Sequence, residues 1–186
     1  ATAPGLVLAI FAGVIIDKVN RKWLLVFLDI FRMIVVVGFL YYILKYKFEI
    51  SLLYPVALLM GLGNSLFWPT AQAFVQELVS DKDYFDANKL LSASYQVGSI
   101  LGAGIGGVIV HIYSPIAALW INVFTYFFSA IFISLAPFKR KKFNTEEKSL
   151  YDSIAKGFQY LRKRIDVLIV GLTTILSDVA IWGSLS

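Results

Sequence analysis

The sequence predicts an all-α bundle that crosses a membrane several times, and three observations carry that prediction. Apolar residues make up 59% of the chain and charged residues only 16%, too apolar a balance for a domain with a solvated surface. The apolar residues gather into runs of about 20, the length a helix needs to cross a bilayer core at about 1.5 Å per residue. The period-two alternation of a membrane barrel is missing, so the backbone groups that face lipid have to be satisfied inside helices.

Six runs qualify: 3–16, 23–44, 51–77, 91–112, 115–137 and 166–186, the first and last of them clipped. The chain opens on ATAPGL with no initiator Met and stops at SLS inside an apolar run, which reads as a piece of a longer protein without a signal peptide of its own. Between the fifth and sixth runs, FKRKKFNTEEKSLYDSIAKGFQYLRKR is basic. Asn144 and Glu147 stand there at capping-box spacing, and Leu150, Ile154, Phe158 and Leu161 form one apolar stripe. Two readings stand side by side: an amphipathic helix on the inner leaflet, or a solvated linker held near the headgroups by its lysines. The domain division that follows is a helix-bundle half over 1–138, a basic linker over 139–165 and the first helix of a second half over 166–186.

The positive charges sort by loop. Residues 17–22, 79–90 and 138–165 hold 14 of the 17 Lys and Arg residues; Lys45 and Lys47 lie on the other side, and Arg32 sits within a run. The positive-inside rule puts the three richer segments in the cytoplasm of a multi-pass protein of the cell (inner) membrane. Cations at helix ends, away from any aromatic-lined patch, argue for bilayer anchoring and against nucleic acid as a partner. With no cysteine, disulfides, thiolate metal sites and Cys nucleophiles are excluded. No Ser/His/Asp set, phosphate-binding loop or metal cluster can be assembled, so no catalytic residue, metal or cofactor is expected and an enzyme is disfavoured.

Four groups of residues invite a functional reading. In GVIIDKVNRK, Gly13, Asp17, Lys18, Arg21 and Lys22 make a short charged loop, and Arg21 and Lys22 are within reach of Glu77 at the end of the 51–77 run. Asn64, Trp68, Gln72 and Gln76 recur at four-residue steps, and Ser92, Gln96 and Ser99 share a face of the next helix. Polar side chains in a span face protein or water, so these stripes either line a ligand cavity, with Trp68 as an aromatic platform, or bond helix to helix. Gly98, Gly102 and Gly106, with Gly107, clear a face for close helix packing. Asp29 and Arg32, three apart, can neutralise each other, whereas Asp178 has no such neighbour. His111, at the outer end of its run, reads as an interfacial residue.

The loop residues Gly13, Asp17, Lys18, Arg21 and Lys22 resemble the G-x-x-x-D-[RK]-x-G-[RK]-[RK] loop between the second and third helices of the major facilitator superfamily, with Asn20 in place of glycine. GSILGAGIGG at 98–107 is similar to that superfamily's antiporter signature, with Ala103 in place of proline. FWPTAQAFVQELV and DANKLLSASYQVGSILG are most similar to the branch of macrolide-efflux and enterobactin-exporter-like proteins. The resemblance covers the chain as helices two to six and the start of seven, a partial major facilitator fold. It implies a secondary active transporter that exports amphipathic small molecules, macrolide-like drugs or siderophores, by alternating access, with proton drive. Its substrate cavity would include Asn64, Trp68, Gln72 and Gln96. The loop would be a gate closed on Glu77, with a partner for Asp17 in the missing remainder of the chain. The 51–77 helix lacks the arginine that many drug/proton antiporters carry there, which turns attention to Asp178 as a proton-coupling group. The rival readings are a transport-inactive membrane sensor or scaffold of the same fold, and a membrane-embedded lipid enzyme, for which the needed ligands and carboxylates are not seen.

Overall fold

The computed structural model describes Ile16 and residues 19–46, 48–80 and 82–137, together with Ile165, Ile169 and Thr173. The chain divides into two compact units, residues 1–143 and 144–186. The described helices of the first unit are α1 (Arg21–Lys45), α2 (Leu53–Leu78), α3 (Tyr84–Ile112) and α4 (Pro115–Leu135), with a 3-10 turn at Ile50–Leu52 leading into α2. All four are long and apolar enough to cross a membrane, and no strand occurs among the described residues. The runs 3–16 and 166–186 and the 138–165 linker lie outside the described residues, apart from the isolated positions named above.

Two of the four helix starts, those of α1 and α4, carry side-chain caps. Asn20 accepts a hydrogen bond from the Trp23 amide at 3.4 Å to open α1, and Ser114 accepts one from the Ala117 amide at 3.1 Å to open α4, where Pro115 occupies the first turn. Lys45 in the last turn of α1 places a cation at the negative end of the helix dipole. The expected bounds of α1, α2 and α4 agree with the observed ones to within two residues. α3 differs: it begins at Tyr84, seven residues before the apolar run expected at 91. Asp86, Asn88 and Lys89 are too polar to register in a hydropathy reading, yet a helix has no reason to stop where its apolar stretch does.

The core is built on α1, which packs against both α2 and α4. Its buried residues Leu25, Val26, Leu28, Asp29, Arg32, Val36 and Leu40 recur at helical spacing along one side. Leu25 meets Ala71 and Phe74 of α2, with Phe67, Leu91 and Ile133 against them; Val36 and Leu40 meet Val123 of α4, with Met60 and Leu119 nearby. The start of α1 thus lies against the ends of α2 and α4, so both neighbours run antiparallel to it. Many large apolar side chains lie on the bundle surface, with Phe27, Ile34, Ile100 and Phe132 all exposed, as lipid-facing positions require. No residue of α3 is fully buried.

Candidate functional site

At the loop end of the bundle, Arg21 is the first residue of α1 and Glu77 sits in the last turn of α2. The Arg21 Nη1 donates to Glu77 Oε1 at 2.9 Å and to the Ala73 carbonyl at 3.3 Å. Both side chains are largely shielded, at 13% and 8% exposure, so the pair is less screened than a surface bridge. Glu77 Oε2 is buried with no hydrogen-bond partner among the described residues. Lys22 departs from the expectation that it shares Glu77: its Nζ donates to the Ala136 carbonyl at 2.8 Å, at the C-terminal end of α4. Adjacent helical residues point about 100° apart, and here Arg21 and Lys22 take different partners. Instead they tie the start of α1 to the ends of two different helices. Gly13, Asp17 and Lys18 lie outside the described residues.

About 12 Å further along α1, eight residues on, Asp29 and Arg32 form the local ion pair that their spacing predicts. The structure adds partners from two other helices. Ser129 of α4 donates to Asp29 Oδ2 at 2.6 Å. The Arg32 Nε donates to the Leu28 carbonyl at 3.3 Å, and its Nη1 donates to Asn64 Oδ1 of α2 at 2.9 Å. The guanidinium lies 4.1 Å from the ring centroid of Phe67 and 4.7 Å from that of Tyr126, a cation between two aromatic faces. Asp29 is 1% and Arg32 6% exposed. A charge pair at this depth is tolerable because every charged atom has a counter-group or a dipole. Gly63 supplies the room: a Cβ there would stand 2.8 Å from Arg32 Cγ and 3.1 Å from Cδ.

Sequence reasoning found the Asp29–Arg32 pair and missed Gly63, Phe67, Tyr126 and Ser129. Tyr126 and Ser129, three apart on α4, were the available signal, since their polar atoms need a place out of lipid.

The polar stripe of α2 is partly engaged by this cluster. Asn64 is exposed, with its Oδ1 taken by Arg32. One turn on, Trp68 packs on Tyr95 of α3 with ring centroids 4.7 Å apart and planes at 48°. Tyr95 was not foreseen, although it stands between Ser92 and Gln96. Gln72 is half-buried and Gln96 exposed. The expected packing at Gly98, Gly102, Gly106 and Gly107 has no counterpart among the described residues: a Cβ at any of them would meet nothing within 4 Å. α3 touches its neighbours through residues such as Leu91 and Tyr95, and the glycines do not meet α2 or α4. Asp178 lies outside the described residues.

The family model described as transmembrane secretion effector, one of the major facilitator group, matches residues 1–185. The chain is 27% identical over 175 residues to the "Uncharacterized MFS-type transporter YfiS" of Bacillus subtilis (strain 168), covering 92% of this chain and 40% of YfiS. It is 25% identical over 174 residues to the "Putative bacilysin exporter BacE" of Bacillus amyloliquefaciens, covering 93% and 43%. The chain therefore spans about two fifths of the length of the curated relatives it matches. No solved structure matches with comparable significance.

Proposed function

Because this chain belongs to the transmembrane secretion effector family of major facilitator transporters, we propose that it forms most of the N-terminal half of a proton-driven exporter of amphipathic small molecules. Macrolide-like drugs and siderophores are the cargo classes, carried by alternating access around a site between two halves. The export direction draws support from the name of BacE, and the membrane is the cell membrane, with the 17–22 loop in the cytoplasm.

The observation that carries the gating part of this reading is the Arg21–Glu77 ion pair. It joins the charged loop to the loop-side end of a helix bearing the polar stripe, so a movement of that end is coupled to the loop's charges. With Asp17 and Lys18 it would close the cytoplasmic side in one state and release it in the other. Asn64, Trp68, Gln72 and Gln96 would line the pathway, with the Trp68–Tyr95 pair as its aromatic wall. Gly98, Gly102, Gly106 and Gly107 would receive a helix from the remainder of the protein, and Asp178 would carry the coupling proton.

The test is erythromycin accumulation in cells making the full-length protein, with and without a protonophore. Lower accumulation that the protonophore abolishes supports the reading, and unchanged accumulation counts against it. Asp178→Asn should remove the dependence on the proton gradient; a variant that keeps it places coupling elsewhere.

A further inference from the structure

Arginine has five N–H donors and no acceptor, so whatever faces it within hydrogen-bond distance must accept. The Arg32 Nη1 faces the Asn64 amide at 2.9 Å, and the atom turned toward it is therefore the oxygen, Oδ1. The guanidinium cannot readily turn away. Its Nε is held by the Leu28 carbonyl and its Nη2 by Asp29, whose other oxygen is held by Ser129. Phe67 and Tyr126 enclose it from α2 and α4. With Oδ1 fixed, the planar amide has its Nδ2 on the side away from Arg32. That group makes no hydrogen bond among the described residues, and Asn64 is exposed. The adjacent positive charge also polarises the amide and makes its N–H a stronger donor.

We infer that Asn64 is a specificity-determining residue that turns its amide N–H donors to the ligand, with Arg32 as the positioning residue that sets this polarity. One turn away lies the Trp68–Tyr95 pair. Together they fit an amphiphile with an aromatic or flat apolar face and a hydrogen-bond acceptor, best a carboxylate, about one helical turn apart. This rests on the reading of α2 as pathway-lining and deepens it, by naming which polarity of ligand the pathway accepts.

The test uses the purified full-length protein and two fluorescent probes: N-dansyl-phenylalanine, with a free carboxylate, and N-dansyl-phenethylamine, the same molecule without it. Wild type should bind the carboxylate probe more tightly. Asn64→Asp keeps an oxygen for Arg32 and turns a second one outward. It should weaken the carboxylate probe at least about tenfold and leave the other within about twofold. Asp29→Asn together with Arg32→Gln removes the charge pair at similar volume and frees the Asn64 amide to rotate. It should erase the preference, whereas Arg32→Lys, still donor-only, should retain it; if the double variant does not fold, Asn64→Asp decides alone. Equal loss of both probes in Asn64→Asp, or no loss of the carboxylate probe, overturns the inference. Erythromycin export by the wild type separates the two levels. Export without any carboxylate preference sinks this inference and leaves transport standing, while no export and no binding sinks both.

Discussion

Gly63→Ala puts the buried cluster under a quantifiable load. The new Cβ would lie 2.8 Å from Arg32 Cγ, 3.1 Å from Cδ and 3.6 Å from the Phe31 ring. Normal carbon contacts lie about 3.5–4.0 Å apart, so close to an ångström of separation must be found. Arg32 cannot swing aside without breaking bonds to Leu28, Asp29 or Asn64, and α1 cannot back away without loosening the packing of Leu25 on Ala71 and Phe74 of α2. Overpacking of this kind costs about 1–3 kcal/mol, against a gain of up to about 1 kcal/mol from replacing glycine inside a helix. A net loss approaching about 2 kcal/mol is expected. Gly38, on α1, is the control, since a Cβ there meets nothing within 4 Å and Gly38→Ala should be neutral or slightly stabilising. Thermal unfolding of the full-length protein in detergent, followed by intrinsic fluorescence, reads the difference, expected to be several degrees. Equal melting of the two variants would refute the idea that Gly63 exists to admit the Arg32 stem.

Three further outcomes are expected. Glu77→Gln should preserve expression and reduce erythromycin export severalfold, because a charged pair between the loop and α2 becomes a neutral hydrogen bond; unaltered export would reduce these charges to topology signals. Gly102→Leu should lower the melting temperature if a helix from the remainder of the protein packs there, and an unshifted melt would turn that face toward lipid or water. Single cysteines at Lys47 and Lys142, in a full-length protein with any cysteine outside these 186 residues replaced, should react with an impermeant maleimide from opposite sides, Lys142 from the cytoplasm; labelling of both from one side would end the proposed topology.

Helix existence and most helix bounds were legible because bilayer thickness is a simple length constraint: a run of about 20 apolar residues can be read off a line of text, whereas the Asn20 and Ser114 caps emerged only from the structure. The start of α3 was not, since its first turns are polar and hydropathy is blind to them. The Asp29–Arg32 pair was legible from its spacing alone. Its partners Asn64 and Ser129 were not, because pairing across 32 and 100 residues depends on how the helices are rotated about their axes. For the same reason Arg21 was correctly matched to Glu77 while Lys22 was not. The angle between successive helical residues turns them apart, but finding Ala136 needed the fold.

The ion pair inside α1 bears on how the chain is made. Ser129 leaves the ribosome 100 residues after Asp29, an interval of about 5–20 s at ordinary elongation rates, and Asn64 follows Arg32 by 32 residues. Throughout that interval α1 has to reside at the translocon or in the bilayer without the helices that will enclose its charges. A lone ionised side chain near the centre of a span costs about 2.5–3.5 kcal/mol on insertion scales. Placing acid and base three residues apart lets each neutralise the other from the moment the helix forms, so insertion need not wait for α2 or α4. A helix with the same two charges facing opposite sides would carry both unneutralised through insertion, at about 2.5–3.5 kcal/mol each.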